Sequence, residues 1–131
     1  MLVLMRARHP VVWSLLVALT GCATVATVDG ERLALTSAEF RTYVEHVFRE
    51  QNRVADELAF ALEAPDGSPD GLAVAEQRLL DACAGVNELA TARRDELRLG
   101  VGRNLSAARS VPECDRTTRA VEELLGSGRA P

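Results

Sequence analysis

Residues 36–63 read TSAEFRTYVEHVFREQNRVADELAFALE, and their pattern decides the fold class of this 131-residue chain. Apolar residues recur here every three or four positions, which is the spacing that places side chains on one face of an α-helix. Four of them repeat every seven residues and five more widen the face: Phe40, Val47, Val54 and Ala61, then Val44, Phe48, Ala55, Leu58 and Leu62. We therefore predict one amphipathic helix over about residues 37–63.

The start of this helix carries a capping signal. Thr36 begins the sequence T-S-A-E, and Glu39 follows three residues later, as in a capping box. Two pairs of opposite charge follow at i,i+4: Glu45 with Arg49, and Arg53 with Glu57. Each pair would stabilise the helix by about 0.3 kcal/mol.

A second amphipathic segment follows a break in the chain. The break reads APDG at residues 64–67, and Ser68 then caps a helix that has Pro69 in its first turn. The apolar residues that share one face are Leu72, Ala75, Leu79, Cys83, Val86, Ala90 and Leu97. We predict a helix over about residues 69–98, antiparallel to the first because a short loop joins two long helices.

The chain after residue 98 allows two interpretations. Three apolar residues continue the face of the second helix: Val101, Leu105 and Ala108. Periodicity alone would therefore extend that helix to about residue 109. Gly100 and Gly102 would each cost about 1 kcal/mol in a helix interior and favour a turn. The segment SVPE at residues 110–113 has the composition of a further helix start.

A reversal near Gly100 and Gly102 would give an all-α protein, a small antiparallel three-helix bundle. The third helix is then predicted over about residues 103–125, broken near Pro112 and stopped by Gly126. The helical domain would cover residues 37–126, and residues 127–131 would form a disordered tail.

The first 21 residues have the layout of a signal peptide. Arg6, Arg8 and His9 give a positive start, and an apolar run, VVWSLLVAL, follows at residues 11–19. At about 1.5 Å per residue, this run is too short to cross a bilayer core of about 30 Å. A short apolar run after a positive start predicts a leader that is cleaved from the mature protein.

The end of the leader reads Leu19-Thr20-Gly21-Cys22. A branched apolar residue, two small residues and a cysteine resemble the lipobox of bacterial lipoproteins. The resemblance implies diacylglycerol on the Cys22 sulfur, cleavage between Gly21 and Cys22, and a fatty acyl chain such as palmitate on the new amine. Two or three chains anchor a protein stably where one does not. In enterobacterial lipoproteins, an aspartate directly after the cysteine resembles a signal that retains the protein in the inner membrane. Residue 23 is alanine here, so the resemblance implies attachment to the outer membrane, facing the periplasm, in a cell with two membranes.

Two cysteines remain after Cys22. Export to an oxidising compartment predicts that Cys83 and Cys114 form a disulfide. A disulfide needs Cα atoms within about 7 Å, which a helix running on to residue 109 would prevent. The reversal near residues 100–102 places the two cysteines opposite each other, so we predict the reversal and the bond together. The alternative is two buried free thiols.

Residues 22–36 are predicted to form a lipidated linker that contains a hairpin. Asp29-Gly30 lies between two apolar stretches, residues 25–28 and 33–35, which is a hairpin signal. A two-stranded hairpin alone is marginal in water, so it would pack on the helices or fray.

The same region resembles the start of the periplasmic SurA-like and PrsA-like foldases. Those begin with a strand, a V-N/D-G turn, a second strand and a helix that opens in E-F. Here the matching segments are VATVDGERL at residues 25–33 and AEF at residues 38–40. The resemblance covers about 16 residues and leaves no room for a prolyl isomerase domain. It implies at most a holdase-like chaperone.

The charge of the mature chain excludes several classes of function. All 15 basic residues are arginine, and there are 19 acidic residues. Cleavage of the leader would remove Arg6 and Arg8, leaving 13 arginines, 19 acids and a net charge of −6. That balance argues against a nucleic-acid partner and against a polybasic contact with anionic lipid. Because the chain has no lysine, lysine-based catalysis is excluded.

No catalytic, metal or cofactor site is predicted. His46 is the one histidine after the leader; with Glu50 it could hold a metal on a helix surface, but a solvated helix face fits better. A serine, Cys83 or Cys114 beside His46 could be a nucleophile, but structural roles fit these residues better. The aromatic residues Phe40, Tyr43 and Phe48 could form a binding patch, although the wide end of the core is the preferred interpretation.

The sequence thus predicts a membrane-anchored envelope lipoprotein that is not an enzyme. Its helical domain would serve as an interaction or structural module and would bind another envelope protein. The seven-residue stripe on the first helix would also permit contact between copies of the chain. The alternative is a periplasmic lipoprotein that acts as a holdase.

Overall fold

The computed structural model describes residues 23–64 and 71–128, in which two short strands precede three helices. The elements are β1 (Thr24–Ala26), β2 (Arg32–Ala34), α1 (Ala38–Leu62), α2 (Leu72–Arg94) and α3 (Val101–Ser127). The predicted all-α architecture of three helices with an N-terminal hairpin is confirmed. The predicted signal peptide, Cys22, Ser68 and Pro69, and residues 129–131 of the tail lie outside the described residues.

Contacts between α2 and α3 show that these helices are antiparallel. Cys83 on α2 is bonded to Cys114 on α3, whereas Glu88, further along α2, pairs with Arg103, which lies earlier on α3. The same logic makes α1 and α3 parallel. Tyr43 on α1 contacts Asp115 on α3, and Arg53, further along α1, contacts Glu122, which also lies further along α3. The start of α1, the end of α2 and the start of α3 therefore share one end of the bundle, which we call the turn end.

The core consists of the apolar faces of all three helices. The buried α1 residues are Phe40, Val47, Val54 and Leu58, as the periodicity predicts, and Val44, Phe48, Ala55, Ala61 and Leu62 pack partly against them. On α2, the predicted face is buried from Leu72 to Val86, and Ala90 is half-buried. Because the seven-residue stripe of α1 is buried within the chain, it is not free for contact between copies.

The cap of α1 differs from the prediction by one residue. Ser37, not Thr36, is the N-cap, and its hydroxyl accepts a hydrogen bond from the Phe40 amide at 3.0 Å. The Ser37 amide donates to the Ala34 carbonyl at 2.9 Å. The end of the hairpin therefore fixes where the helix can begin, which the local sequence does not reveal.

Helix α2 begins at Leu72 with Gly71 as its N-cap, so the predicted start at residue 69 with Ser68 as the cap is wrong. The helix ends at Arg94, four residues before its predicted end. The reversal lies within residues 95–100, so the alternative of one helix to residue 109 is excluded. Glu96 has a φ of 53°, and the Leu97 amide donates to the Ala92 carbonyl at 2.8 Å. Gly102 lies inside α3 rather than in the turn. Two apolar residues next to the reversal are exposed. Leu97, predicted on the buried face of the second helix, is 61% exposed, and Val101, which continued that face only in the excluded alternative, is 85% exposed.

The predicted break near Pro112 is wrong, because α3 runs without interruption from Val101 to Ser127. Ser110 does not cap a helix; its hydroxyl donates to the Ala107 carbonyl at 2.8 Å. A proline inside a helix costs about 3 kcal/mol and removes one backbone hydrogen bond. Here Val111 and Cys114 are fully buried beside it, and packing on α2 outweighs that cost. The helix also passes the predicted stop at Gly126 and is capped at Gly128.

The predicted hairpin is present and folded onto the bundle. Val25 lies opposite Leu33, and both side chains are buried. The Gly30 amide donates to the Thr27 carbonyl at 3.0 Å, and Gly30 has a φ of 86°, which suits glycine. The residues predicted as a linker are therefore part of the folded body from Ala23, whose carbonyl accepts a hydrogen bond from the Leu35 amide at 2.9 Å.

Candidate functional site

A groove of about 750 Å³ opens between α1 and α2 at the turn end of the bundle. Its apolar lining comes from Leu35, Phe40, Val44, Phe48, Leu89 and Ala90. Four arginines also line it: Arg41 and Arg49 on α1, and Arg93 and Arg94 on α2. We call this surface the arginine-rimmed groove. Its volume lies within the range typical of ligand sites, about 300–1,000 Å³.

The helical repeat explains how the sequence builds this groove. Phe40, Val44 and Phe48 are spaced by four residues, so they form one apolar row along α1. Arg41 and Arg49 each follow an aromatic residue by one position and thus lie beside that row. Arg93 and Arg94 occupy the last turn of α2, where the negative end of the helix dipole favours cations.

Most of the groove arginines are not neutralised by a neighbour. Within residues 23–64 and 71–128, Arg41, Arg49 and Arg93 form no ion pair with a carboxylate. The predicted pair of Glu45 with Arg49 is accordingly not formed, although Glu45 lines the same groove. Arg94 pairs with Asp95 at 2.8 Å. That hydrogen bond raises the pKa of Arg94 and lowers the pKa of Asp95.

A second polar cluster joins the hairpin to the helices, and we call it the hairpin network. The Tyr43 hydroxyl donates to the Asp115 carboxylate at 2.8 Å, and Arg119 donates to the same carboxylate at 2.9 Å. Arg119 also donates to both carboxylate oxygens of Asp29 in the hairpin turn, at 3.0 and 3.1 Å. Asp115 is 5% exposed, so its charge is stabilised by these donors rather than by water.

The titration of the hairpin network follows from these contacts. Burial raises the pKa of Tyr43, and its hydrogen bond to Asp115 raises it further. The hydrogen bond from Arg119 lowers the pKa of Asp29 below its usual value, and the charge of Arg119 adds to that effect. The hydrogen bonds to Asp29 and Asp115 raise the pKa of Arg119. Tyr43, Arg119 and Asp29 therefore stay in their neutral, positive and negative forms at neutral pH.

The two cysteines of the bundle form the predicted disulfide. Their Cα atoms are 4.6 Å apart, and both side chains are completely buried. The Thr118 hydroxyl donates to the Cys114 carbonyl at 2.8 Å and lies 3.9 Å from the Cys83 sulfur. Neither sulfur is available as a thiol nucleophile in this state.

Gly85 marks the closest approach of α2 and α3. A Cβ atom at this position would lie 3.1 Å from the Ala107 Cα and 3.2 Å from the Ala107 carbonyl oxygen, and would overlap the Ser110 hydroxyl. Only a residue without a side chain therefore fits here without a shift. Sequence reasoning missed Gly85, although a glycine inside a long apolar helical pattern was a readable signal.

His46 lies on the exposed side of α1, whereas both cysteines are completely buried. It lines a pocket of about 430 Å³ with Asp29, Glu31 and Glu39. Glu50, its suggested metal partner, instead pairs with Arg53 at 2.9 Å. In the part of the chain that the structure describes, no three His, Cys, Asp or Glu residues are grouped to hold a metal ion.

The three aromatic residues singled out in the sequence serve three different purposes. Phe40 is 5% exposed and belongs to the core, as the preferred interpretation predicts. Tyr43 is half-buried and holds the hairpin network. Phe48 is half-buried and lines the arginine-rimmed groove. The convergence of Arg41 and Arg49 with Arg93 and Arg94 was missed, because these pairs are far apart in the sequence.

Comparison with known proteins adds no relative. Protein-family models, curated proteins and solved structures were compared with the chain, and none matches it. The resemblances to lipoprotein leaders and to foldase N-termini therefore stay predictions from the sequence. Of the helices in residues 23–64 and 71–128, none combines the length and the apolar character that a bilayer crossing requires.

Proposed function

We propose that the protein is a lipid-anchored component of a bacterial cell envelope. It acts through contacts with other envelope components rather than as an enzyme. The observation that carries this proposal is the position of Ala23. This residue follows the lipobox cysteine, and its carbonyl is already hydrogen-bonded to Leu35 within the folded body. A lipid on Cys22 would therefore hold the helical domain directly against the membrane surface.

The disulfide supports an address outside the cytoplasm. Disulfides persist in oxidising compartments and are rare where thiols are kept reduced. The bond between Cys83 and Cys114 is fully buried and joins the middle of α2 to the middle of α3. A bond in this position is structural, and it agrees with an exported protein.

Several side chains that were considered as nucleophiles have structural contacts in the described residues. Cys83 and Cys114 are joined to each other, and His46 faces solvent among carboxylates. The hydroxyls of Ser37 and Ser110 are hydrogen-bonded to backbone groups of their own helices. A nucleophile with a general base in hydrogen-bond reach, which covalent catalysis needs, is not found among these residues.

The end of the bundle opposite the turn end offers a surface for a protein partner. Phe60 near the end of α1 is 80% exposed, and Val74 near the start of α2 is 54% exposed. Exposed single apolar residues are common, but two large ones at one end of so small a domain mark a candidate contact. With Cys22 holding the other end at the membrane, this end would face the periplasm.

Site-specific crosslinking in intact cells tests the proposed interaction. A photoreactive phenylalanine analogue at position 60 should give a discrete crosslinked product, because the side chain there is the most exposed aromatic of the described residues. The same analogue at Arg116, an exposed position in the middle of α3, serves as the control and should give little product. Products of equal yield at both positions, or none at either, would contradict a specific contact at this end.

A holdase activity is the second candidate, and the arginine-rimmed groove favours it. Its apolar row of Phe40, Val44 and Phe48 could hold an apolar segment of an unfolded client, as helix grooves hold amphipathic peptides. The chain should then suppress aggregation of a denatured client at near-equal molar ratio, and Phe48→Ser should reduce the suppression. Phe60→Ser is the control, since Phe60 lies outside the groove. An equal effect of both variants, or no suppression by the parent chain, would contradict this role.

A further inference from the structure

We propose that the turn end of the bundle is a membrane-facing surface that binds anionic phospholipid of the bilayer. The surface consists of the arginine-rimmed groove and the α2–α3 turn, residues 95–100. This inference rests on the proposed function, because the lipid on Cys22 would bring the turn end to the bilayer. Its test uses protein without a lipid, so that its failure and the failure of the anchor can be told apart.

A very short length of chain separates the proposed anchor from the groove. Leu35 lines the groove, and its amide donates to the Ala23 carbonyl at 2.9 Å. Ala23 is the residue next to Cys22, and one extended residue spans at most about 3.6 Å. The acylated cysteine would therefore lie beside the groove, and no flexible linker could turn this end away from the bilayer.

The α2–α3 turn exposes apolar side chains. Leu97 is 61% exposed, and Val101 is 85% exposed. Both lie at the turn end, where α2 finishes and α3 begins. Apolar side chains next to basic residues enter the boundary between lipid headgroups and acyl chains when a protein rests on a membrane. The turn has this composition, since Arg98 lies between the two apolar residues.

The local charge of this surface is opposite in sign to the net charge of the whole chain. Five arginines belong to the surface: Arg41, Arg49, Arg93, Arg94 and Arg98. Three carboxylates accompany them: Glu45, Asp95 and Glu96. A surplus of arginine thus remains in a chain of net charge −4. Salt at 0.1 M screens interactions beyond about 10 Å, so acidic residues at greater distances cancel little of that surplus.

The chemistry of arginine matches the phosphate group of a phospholipid. A guanidinium donates two parallel hydrogen bonds to a phosphate and is more weakly hydrated than an ammonium. Arg41, Arg49 and Arg93 are free for such contacts, since none forms an ion pair in the described ranges. The apolar row beside them can accept part of an acyl chain. A phospholipid bilayer therefore matches both parts of the groove, because it offers phosphates to the arginines and acyl chains to the apolar row.

Vesicle co-sedimentation tests this proposal directly. The chain from Ala23 to Pro131, which contains every core residue from Val25 to Leu125, is mixed with vesicles of phosphatidylglycerol and phosphatidylcholine or of phosphatidylcholine alone. We expect binding to the anionic vesicles that weakens as salt rises. Each arginine near an anionic surface changes the membrane partition coefficient about fivefold, so Arg49→Gln/Arg93→Gln should lower binding by about twenty-five-fold. Leu97→Ser/Val101→Ser should also lower it without unfolding, because both side chains are exposed.

A matched control separates this surface from the net charge. Arg78→Gln/Arg116→Gln removes the same charge from exposed positions away from the turn end and should leave binding within about twofold of the parent chain. Equal losses in both double variants, or no preference for anionic vesicles, would overturn the proposal. So would binding of an acidic amphipathic peptide in place of vesicles, with the same sensitivity to Arg49 and Arg93. The anchor on Cys22 would stand in each of these cases, because the tested chain lacks it.

Discussion

Two interfaces of the bundle are held together by different means. The interface of α2 with α3 is covalent and close: the disulfide lies at its centre, and the helices approach at Gly85. Helix α1 and the hairpin are attached by an apolar stripe and by polar bonds, among them Tyr43 to Asp115 and Gln51 to Asn87. Helices α2 and α3 are thus joined by a covalent bond, whereas α1 and the hairpin are held on them by apolar packing and polar contacts alone.

Removal of the disulfide should give the largest effect. Cys83→Ala/Cys114→Ala opens a loop with a sequence separation of 31 residues and should lower the free energy of unfolding by about 3–4 kcal/mol. Urea denaturation of the parent and the double variant measures the difference. Reductant should destabilise the parent and leave the variant unchanged. If the parent chain, unfolded and refolded in reductant, kept the same free energy of unfolding, the disulfide would contribute nothing to its stability.

A side chain at Gly85 should disturb the same interface without touching the disulfide. Gly85→Val places atoms against Ala107 and Ser110, and overpacking of this kind costs about 1–3 kcal/mol. Gly102→Ala is the control: it lies in α3 with nothing within 4 Å of its added Cβ and should be neutral or slightly stabilising. Thermal unfolding compares the two. Equal effects would mean that the close approach of α2 and α3 does not limit the residue at 85.

The polar side of the comparison is tested at Tyr43. Tyr43→Phe removes one donor to the buried carboxylate of Asp115 but leaves Arg119 in place, so it should cost about 1–2 kcal/mol. Amide hydrogen exchange should show faster opening of the hairpin and the first half of α1 than of α2 and α3. Uniform acceleration over all helices would contradict the division of the bundle into two parts.

The smallest expected effect is a pH dependence from Asp29. Since its pKa is lowered in the folded chain, ionised Asp29 contributes stability above its usual pKa, and that contribution is lost as pH falls through the lowered value. Asp29→Asn should therefore be slightly less stable than the parent at pH 7, and the gap should close below about pH 4. The pair is exposed, so salt should also narrow the gap. A gap that widens in acid would contradict the ion pair with Arg119.

Local patterns in the sequence predicted the parts of the fold that depend on local rules. The buried face of α1 follows from periodicity, and the turn at Gly30 follows from a residue that tolerates positive φ. The break at Pro112 was predicted wrongly. Proline inside a helix is unfavourable on local grounds, but here the burial of α3 against α2 keeps the helix continuous. Ser37 replaced Thr36 as the cap because the hairpin, a neighbouring element, sets the start of α1.

The candidate surface could not be predicted from the sequence for a related reason. Arg41 and Arg49 come together with Arg93 and Arg94 only when α1 and α2 pack side by side. Net charge, which sums over the whole chain, hides such a cluster. Leu97 was assigned to the buried face of α2 because periodicity does not show where that helix ends. The pairing of Cys83 with Cys114 was accessible, since a distance limit on the bond could be weighed against the length of a helix.

The N-terminal peptide of the protein taken from bacterial membranes tests the central claim, that Cys22 carries the lipid that holds this domain at a membrane. Trypsin cuts after arginine, so the mature chain would yield a peptide of residues 22–32. Mass spectrometry should find this peptide beginning at Cys22 and carrying two or three acyl chains. A peptide of residues 9–32 with an unmodified Cys22 would show that the leader is retained without lipid, and would contradict the account.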